Sequence, residues 1–179
     1  MARSKDFLGE VATIAKAMRA LGFEPVLVGG MALVILGSRR VTRDFDFVIT
    51  QPGDRLEELI DVFYDRGLEL ASRLSDEGDV TATIGNRRVA SIRLRLDAPA
   101  SAYFFNPQTG LRVDLLFDFP IPAATLAARA TRTKVRARLF LVASEKDLLR
   151  LKRIARARRS SAGDTQDIAF LEARRRASE

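Results

Sequence analysis

Val28-Gly29-Gly30-Met31-Ala32-Leu33-Val34-Ile35-Leu36-Gly37-Ser38-Arg39-Arg40-Val41-Thr42-Arg43-Asp44-Phe45-Asp46-Phe47-Val48-Ile49 reads as an apolar strand end, a double glycine, a short apolar helix and a second strand. Side chains two apart in a strand share a side, so Asp44 and Asp46 face one way while Phe45 and Phe47 face the core. Two carboxylates held that close repel each other unless a cation sits between them. Glycines let backbone approach a ligand closely, and the free N–H groups of a helix start favour phosphate. The stretch therefore reads as a divalent-metal site beside a phosphate cradle. Alone, a double glycine is more often only a tight turn. An exposed strand edge could also carry two aspartates for solubility. The intervening Phe, Phe and Val argue instead for a mostly buried strand, where paired carboxylates need compensation.

The chain has 179 residues, 47% of them hydrophobic and 30% charged, the balance of a folded globular protein. One domain is expected over 1–179, with a core of about 5–142 and a helical part of about 143–174. There are no cysteines and no histidines. Disulfides, thiolate sites, His-based acid–base chemistry and His-ligated zinc are excluded, leaving carboxylates as the strong metal ligands. The uncharged run from Pro25 to Ser38 is too short to cross a bilayer. Glu10 and Lys16 interrupt the N-terminal apolar pattern, which reads as an amphipathic helix rather than a signal peptide. A cytoplasmic location without membrane contact is expected. The net charge of +7 favours a polyanionic partner such as RNA or nucleotides; an arginine-rich solvated surface is the other reading.

Phe7, Val11, Ile14, Ala15, Met18 and Leu21 predict a helix over 5–21 ended by Gly22. Strands are expected at 25–28 and 45–50, with a short helix at 32–36 between them. Asp54 is expected to cap a helix ending near Gly67. Between 68 and 87 one strand, 80–84, stands out among turn signals. Val89 to Leu96 alternates like a strand, and 102–105 and 111–117 flank Asn106-Pro107-Gln108-Thr109-Gly110 as a hairpin. An Ala-rich helix at 123–129 precedes a strand at 134–142. Ser144 with Asp147 opens a helix to about 158, and 164–174 forms the last one. This order predicts an α+β fold with a mixed sheet flanked by helices, including C-terminal ones. Asp114, in Leu111-Arg112-Val113-Asp114-Leu115-Leu116-Phe117, is costly within a strand unless it faces a cleft, a metal or a wet sheet face. On the wet-face reading Arg112, Asp114 and Asp118 are plain solvent residues.

Gly29-Gly30, Gly37, Arg40-x-Thr42-x-Asp44-x-Asp46 and a third acid in a later strand resemble the DNA polymerase β-like nucleotidyltransferase superfamily. Within it the chain looks most like the minimal bacterial AbiEii-type enzymes, many of them toxins of toxin–antitoxin or phage-defence systems. Ser144-Glu145-Lys146-Asp147-Leu148-Leu149-Arg150-Leu151-Lys152 and Asp164-x-x-Asp167-Ile168 resemble that group's C-terminal helices. The resemblance covers about residues 5–172 and implies the nucleotidyltransferase fold. It implies transfer of an NMP from an NTP to a hydroxyl, with two Mg²⁺ (or Mn²⁺) ions.

Carried over residue by residue, Asp44 and Asp46 would bind both ions. Asp114 would bind the ion that activates the acceptor hydroxyl and take its proton. Gly29 and Gly30 amides would meet the β- and γ-phosphates. Ser38, Arg40 and Thr42 would shape the phosphate loop, or simply cap a turn. Lys152 would reach a phosphate or base, or else snorkel at the surface. Many relatives carry serine where Gly30 stands; Gly-Gly occurs in the AbiEii-like group. The implied acceptor is RNA, such as a tRNA 3′ end steered by Arg150, Lys152, Arg153, Arg156, Arg158 and Arg159, or a protein. The same run also reads as the solvated side of a helix. A cognate antitoxin is an implied partner. Two other readings compete: a non-catalytic subunit of the same fold, and an enzyme acting on a small molecule such as an aminoglycoside. The latter would need acidic residues around a cationic sugar, which the positive charge disfavours.

Overall fold

The computed structural model describes residues 6–159 and 161–179. Eight strands form one sheet in the order β4-β3-β5-β6-β2-β1-β8-β7. They are β1 (Val26–Val28), β2 (Asp44–Ile49), β3 (Glu69–Leu74), β4 (Val80–Ile84), β5 (Ser101–Phe105), β6 (Arg112–Phe117), β7 (Thr131–Val135) and β8 (Arg138–Val142). β2 runs parallel to β6 and β1 parallel to β8, while the other neighbours are antiparallel. Seven α-helices complete the described chain: α1 (Phe7–Ala20), α2 (Gly29–Ile35), α3 (Leu56–Tyr64), α4 (Arg87–Asp97), α5 (Ala123–Arg129), α6 (Glu145–Arg158) and α7 (Ala162–Ala177). The expected mixed-sheet α+β architecture is what the chain adopts. No helix among the described residues is long and apolar enough to cross a membrane.

Alternation makes β2 the centre of the core. Phe45, Phe47, Val48 and Ile49 are buried, as are Val113 and Leu115 beside them on β6. Val11, Ile14, Ala15 and Met18 of α1 recur at helical spacing and are buried too, and α1 packs on β8 and α3. Phe63 of α3 stacks on Phe104 of β5 with ring centroids 4.0 Å apart. α1 begins at Phe7, where the Asp6 carboxylate accepts from the Gly9 amide; the start expected at residue 5 lies outside the described residues.

Four elements differ from expectation. The segment 89–96 is not a strand but most of α4. The Asn86 side-chain Oδ1 accepts from the Arg88 and Val89 amides, capping a helix whose buried residues, Ala90, Ser91 and Leu94, follow the helical period. The single strand expected over 134–142 is a hairpin, β7 and β8, turned by Arg136 and Ala137 at φ +46° and +65°. β3 is an additional strand beside β4. Asp54 does not cap α3; it sits in a short 3₁₀ turn, Gly53–Arg55, that leads into the helix. Replacing Asn86 by Ala is expected to cost about 1 kcal/mol, read as a lower urea midpoint at unchanged m-value.

Candidate active site

β1 passes into α2 without a connecting loop, so Gly29 lies where strand, helix and β2 meet. Its φ is +70°, and a Cβ there would collide with the Asp46 carboxylate. Only glycine lets α2 start this close to that acid. Gly30 is less confined: a Cβ there would stand 3.2 Å from the Arg40 guanidinium carbon, so the arginine would have to give a little.

The β2–β6 register sets the acids. Asp46 lies opposite Asp114, and Asp44 opposite Arg112. All four side chains project from the same side of neighbouring strands, as alternation requires. Asp114 is buried, and Arg112 grips it with both prongs: Nε donates to Oδ1 at 2.8 Å and Nη2 to Oδ2 at 3.0 Å. Arg112 also donates through Nη1 to the Gly78 carbonyl at 2.6 Å and lies over the Tyr103 ring at 4.9 Å. It is no plain solvent residue; it is a fixed counter-charge inside an acidic site. Asp114 spends both oxygens on it, and among the described residues no group of three acids stands ready to close on a metal ion.

Charge is still short around Asp46. Burial, then the neighbouring Asp114 and Asp44 carboxylates, push its acid up to about 7, against a weaker pull from Lys152. Asp114 also lies above the ordinary range, raised by burial and held back by Arg112. The pair hydrogen-bonds, so one proton stands where a cation would.

A carboxyl whose pKa rises on folding stabilises the fold while it is protonated. That contribution drains away as pH climbs from the ordinary aspartate value through about 7. The chain has no histidine, and Asp6, Asp147, Asp164 and Glu172 are held below their ordinary values. The window between pH 5 and 7.5 therefore reports the Asp46–Asp114 pair. Without added metal, the protein is expected to melt higher at the acid end of that window, in differential scanning fluorimetry. Asp46→Asn should flatten the trend.

Behind the glycines lies an ion-pair network that the sequence only hinted at. Lys152 of α6 is buried, its Nζ 2.8 Å from Asp167 and 3.3 Å from Asp164 of α7. Asp167 also pairs with Arg40, and Asp164 with Arg159. Lys152 is thus neither a snorkelling surface residue nor a free hand for phosphate: its ammonium is spent inside the protein. Ser38 Oγ accepts from the Arg40 amide at 3.2 Å and shapes the turn. Thr42 lines a separate groove bounded by α1, α2 and the β7–β8 hairpin. Of the residues expected at the site, the structure brings Gly29, Asp46 and Asp114 together, with Asp44 one step along β2 and Arg40 against Gly30. Arg112 and Asp167 went unassigned in the sequence. The signal for Arg112 was its place two residues before Asp114 on the same strand face.

No protein-family model matches the chain, and no curated protein matches it in sequence. Solved structures do match. An antigenic nucleotidyltransferase-like protein from Paracoccidioides brasiliensis superposes with a TM-score of 0.59 at 15% identity, covering 94% of this chain and 76% of that one. The lincosamide antibiotic adenylyltransferase LnuA, with lincomycin bound, gives 0.57 at 13% identity over 92% of this chain and 95% of that one. The resistance factor ANT(2″)-Ia, in complex with adenylyl-2″-tobramycin, gives 0.58 at 12% identity over 94% and 88%. Identities this low speak for architecture alone, and all three agree on it: the chain has the nucleotidyltransferase fold.

Proposed function

We propose that the protein is a metal-dependent nucleotidyltransferase, moving an NMP from an NTP to a hydroxyl with release of pyrophosphate. One observation carries the reading. Asp46 and Asp114, on adjacent strands beside a glycine that nothing else can replace, form an acid pair so short of positive charge that it retains a proton to about pH 7. The donor set fits a hard divalent ion, because it is all carboxylate oxygen in a chain without His or Cys. When bound, Mg²⁺ or Mn²⁺ (two ions in this reading, held by Asp44, Asp46 and Asp114) neutralises triphosphate charge and acidifies the acceptor hydroxyl.

The remaining work falls to the chain itself. The acceptor oxygen bonds to the α-phosphorus as the α–β bridging bond breaks, and pyrophosphate leaves with the bond's electrons. Asp114 takes the hydroxyl proton, and Arg112 holds that carboxylate in position. The backbone at Gly29 and Gly30 leaves room for the β- and γ-phosphates, with Arg40 alongside. Ser38 and Thr42 shape the segment leading into β2, and Lys152 acts on the nucleotide through Asp167 and Arg40 rather than by contact.

The acceptor we favour is RNA in the cytoplasm, as for an AbiEii-like toxin held by a cognate antitoxin. The basic run on α6 offers less for this than its composition suggests. Arg153 pairs with Glu172, Arg159 with Asp164, and Arg158 lies over Phe119. Arg150 and Arg156 are left for phosphates. A small-molecule acceptor is the second reading, favoured by the likenesses bound to lincomycin and to adenylyl-2″-tobramycin. Incubation with each α-³²P-NTP, Mg²⁺ and either total RNA, total protein, lincomycin or tobramycin decides between them. Label on RNA supports the first reading, label on antibiotic the second, and no label anywhere refutes transfer.

A further inference from the structure

α2 carries no polar side chain: it reads Gly29-Gly30-Met31-Ala32-Leu33-Val34-Ile35. A helix apolar all round belongs inside a protein, yet only one side of this one is covered. Gly30, Ala32 and Leu33 are buried, whereas Met31, Val34 and Ile35, at i, i+3 and i+4, are half-exposed. These three line the groove that also holds Thr42, an open cavity of about 830 Å³. Leu8 of α1 and Val135 of β7, half-exposed as well, line it with them. The groove is thus apolar where α2 lacks a cover.

The charged part of the lining is basic. Arg43 stands just before β2, and Lys134 and Arg136 belong to the β7–β8 hairpin. All three are exposed, and none enters an ion pair among the described residues. The one acid in the lining, Asp6, is already engaged by Arg138 and by the Gly9 amide. We propose that this groove docks an acidic amphipathic segment of a partner protein. The segment's apolar side chains enter against Met31, Val34 and Ile35, and its carboxylates meet Arg43, Lys134 and Arg136.

A polypeptide fits because the cations stand on separate elements, so carboxylates spaced along a chain can reach them all. RNA brings the charge but no aliphatic side chain to displace water from the apolar lining. A second copy brings the wrong sign. The exposed apolar residues of α4, Val89, Ile92 and Leu96, stand among Arg88, Arg93 and Arg95. The sequence before Asp6 holds Arg3 and Lys5 and no acid, again the wrong sign. A docked segment touches α2, which opens at Gly29, and Arg43, the residue before Asp44. It therefore bears on both elements that frame the candidate active site, while the docking itself does not depend on nucleotidyl transfer.

Fluorescence anisotropy on the full chain tests this without reference to activity. The probe is a fluorescein-labelled peptide of about 14 residues, Leu at helical spacing and Glu between. It is expected to bind saturably, and versions with Ser for Leu or Lys for Glu at least tenfold more weakly. Val34 is half-exposed and outside the core, so Val34→Glu should weaken the Leu/Glu peptide at least tenfold without unfolding the chain. Lys134→Glu with Arg136→Glu, at exposed positions, should do the same and should gain binding of the Leu/Lys peptide. Circular dichroism confirms that each variant is folded. No saturable binding of the Leu/Glu peptide, equal binding of the Ser version, or unchanged affinity in the variants overturns the proposal. Three further results give the groove to another occupant and overturn it equally. They are single-stranded RNA binding lost in Val34→Glu, a dimer dispersed by Val34→Glu in sedimentation velocity, and a tenfold gain in peptide affinity on deleting residues 2–5.

Discussion

Asp46→Asn is expected to lower nucleotidyl transfer by about 10³-fold or more, while the protein stays folded and becomes more stable at alkaline pH. Asparagine has the same shape, so the close approach of Gly29 is preserved. Its amide can donate to Asp114, replacing the shared proton with a permanent hydrogen bond. The negative charge that burial, Asp114 and Asp44 resist is gone. On the order of 1–2 kcal/mol should be gained above pH 7, well under the full shift because the residue is partly open to solvent. Function loses what stability gains, since the substituted site can no longer gather cations around a triphosphate. Opposite signs in the two assays mark a residue kept for chemistry. A non-catalytic subunit gives a different outcome: stability rises and nothing measurable is lost. Unlabelled transfer kinetics beside urea unfolding at pH 8 separate the two, and full activity in Asp46→Asn or in Asp44→Ala with Asp46→Ala refutes the enzymatic reading.

The part of the chain that led to this site was legible because its signals are local. Alternation across Asp44–Ile49 told which side chains face the core, and the same parity placed Asp114 on β6. Ser144 accepting from the Asp147 amide is a cap that sequence spacing alone could name. Where local signals are degenerate, the reading failed. Ala90, Ile92, Leu94 and Leu96 alternate, but 90, 91 and 94 also fit a helix, and only the Asn86 cap decides between them. Arg136 and Ala137 turn the β7–β8 hairpin at positive φ without the Gly, Asn or Asp that announces such turns. β3 alternates poorly, with only Leu70 buried in Glu69-Leu70-Ala71-Ser72-Arg73-Leu74. Ion pairs such as Arg40–Asp167 join residues far apart in the chain; no periodicity encodes them. The register opposing Asp46 to Asp114 is equally a product of the folded sheet.

Lys152→Met is expected to destabilise the protein by about 3–5 kcal/mol, the cost of stripping one partner from a buried ionic cluster. Asp164 and Asp167 are 1% and 2% exposed, so neither can turn to water. Asp167 would keep only Arg40, and Asp164 only Arg159, whose side chain is 68% exposed and holds it weakly. The α6–α7 packing should loosen first, read as faster amide exchange in Asp167–Leu171 than in β2. A lysine that merely touched nucleotide would give another pattern: unchanged unfolding and a raised KM for NTP. Asp167→Asn in the Lys152→Met background removes the orphaned charge and should recover part of the loss. Coupling of about 1–3 kcal/mol in that double-mutant cycle is expected for groups in contact. Additive effects would show that Lys152 serves something other than this cluster. Because Asp167 also fixes Arg40 against Gly30, the double variant should regain stability without regaining the wild-type KM. An interior ion pair between two C-terminal helices would then govern how the glycine turn receives a triphosphate.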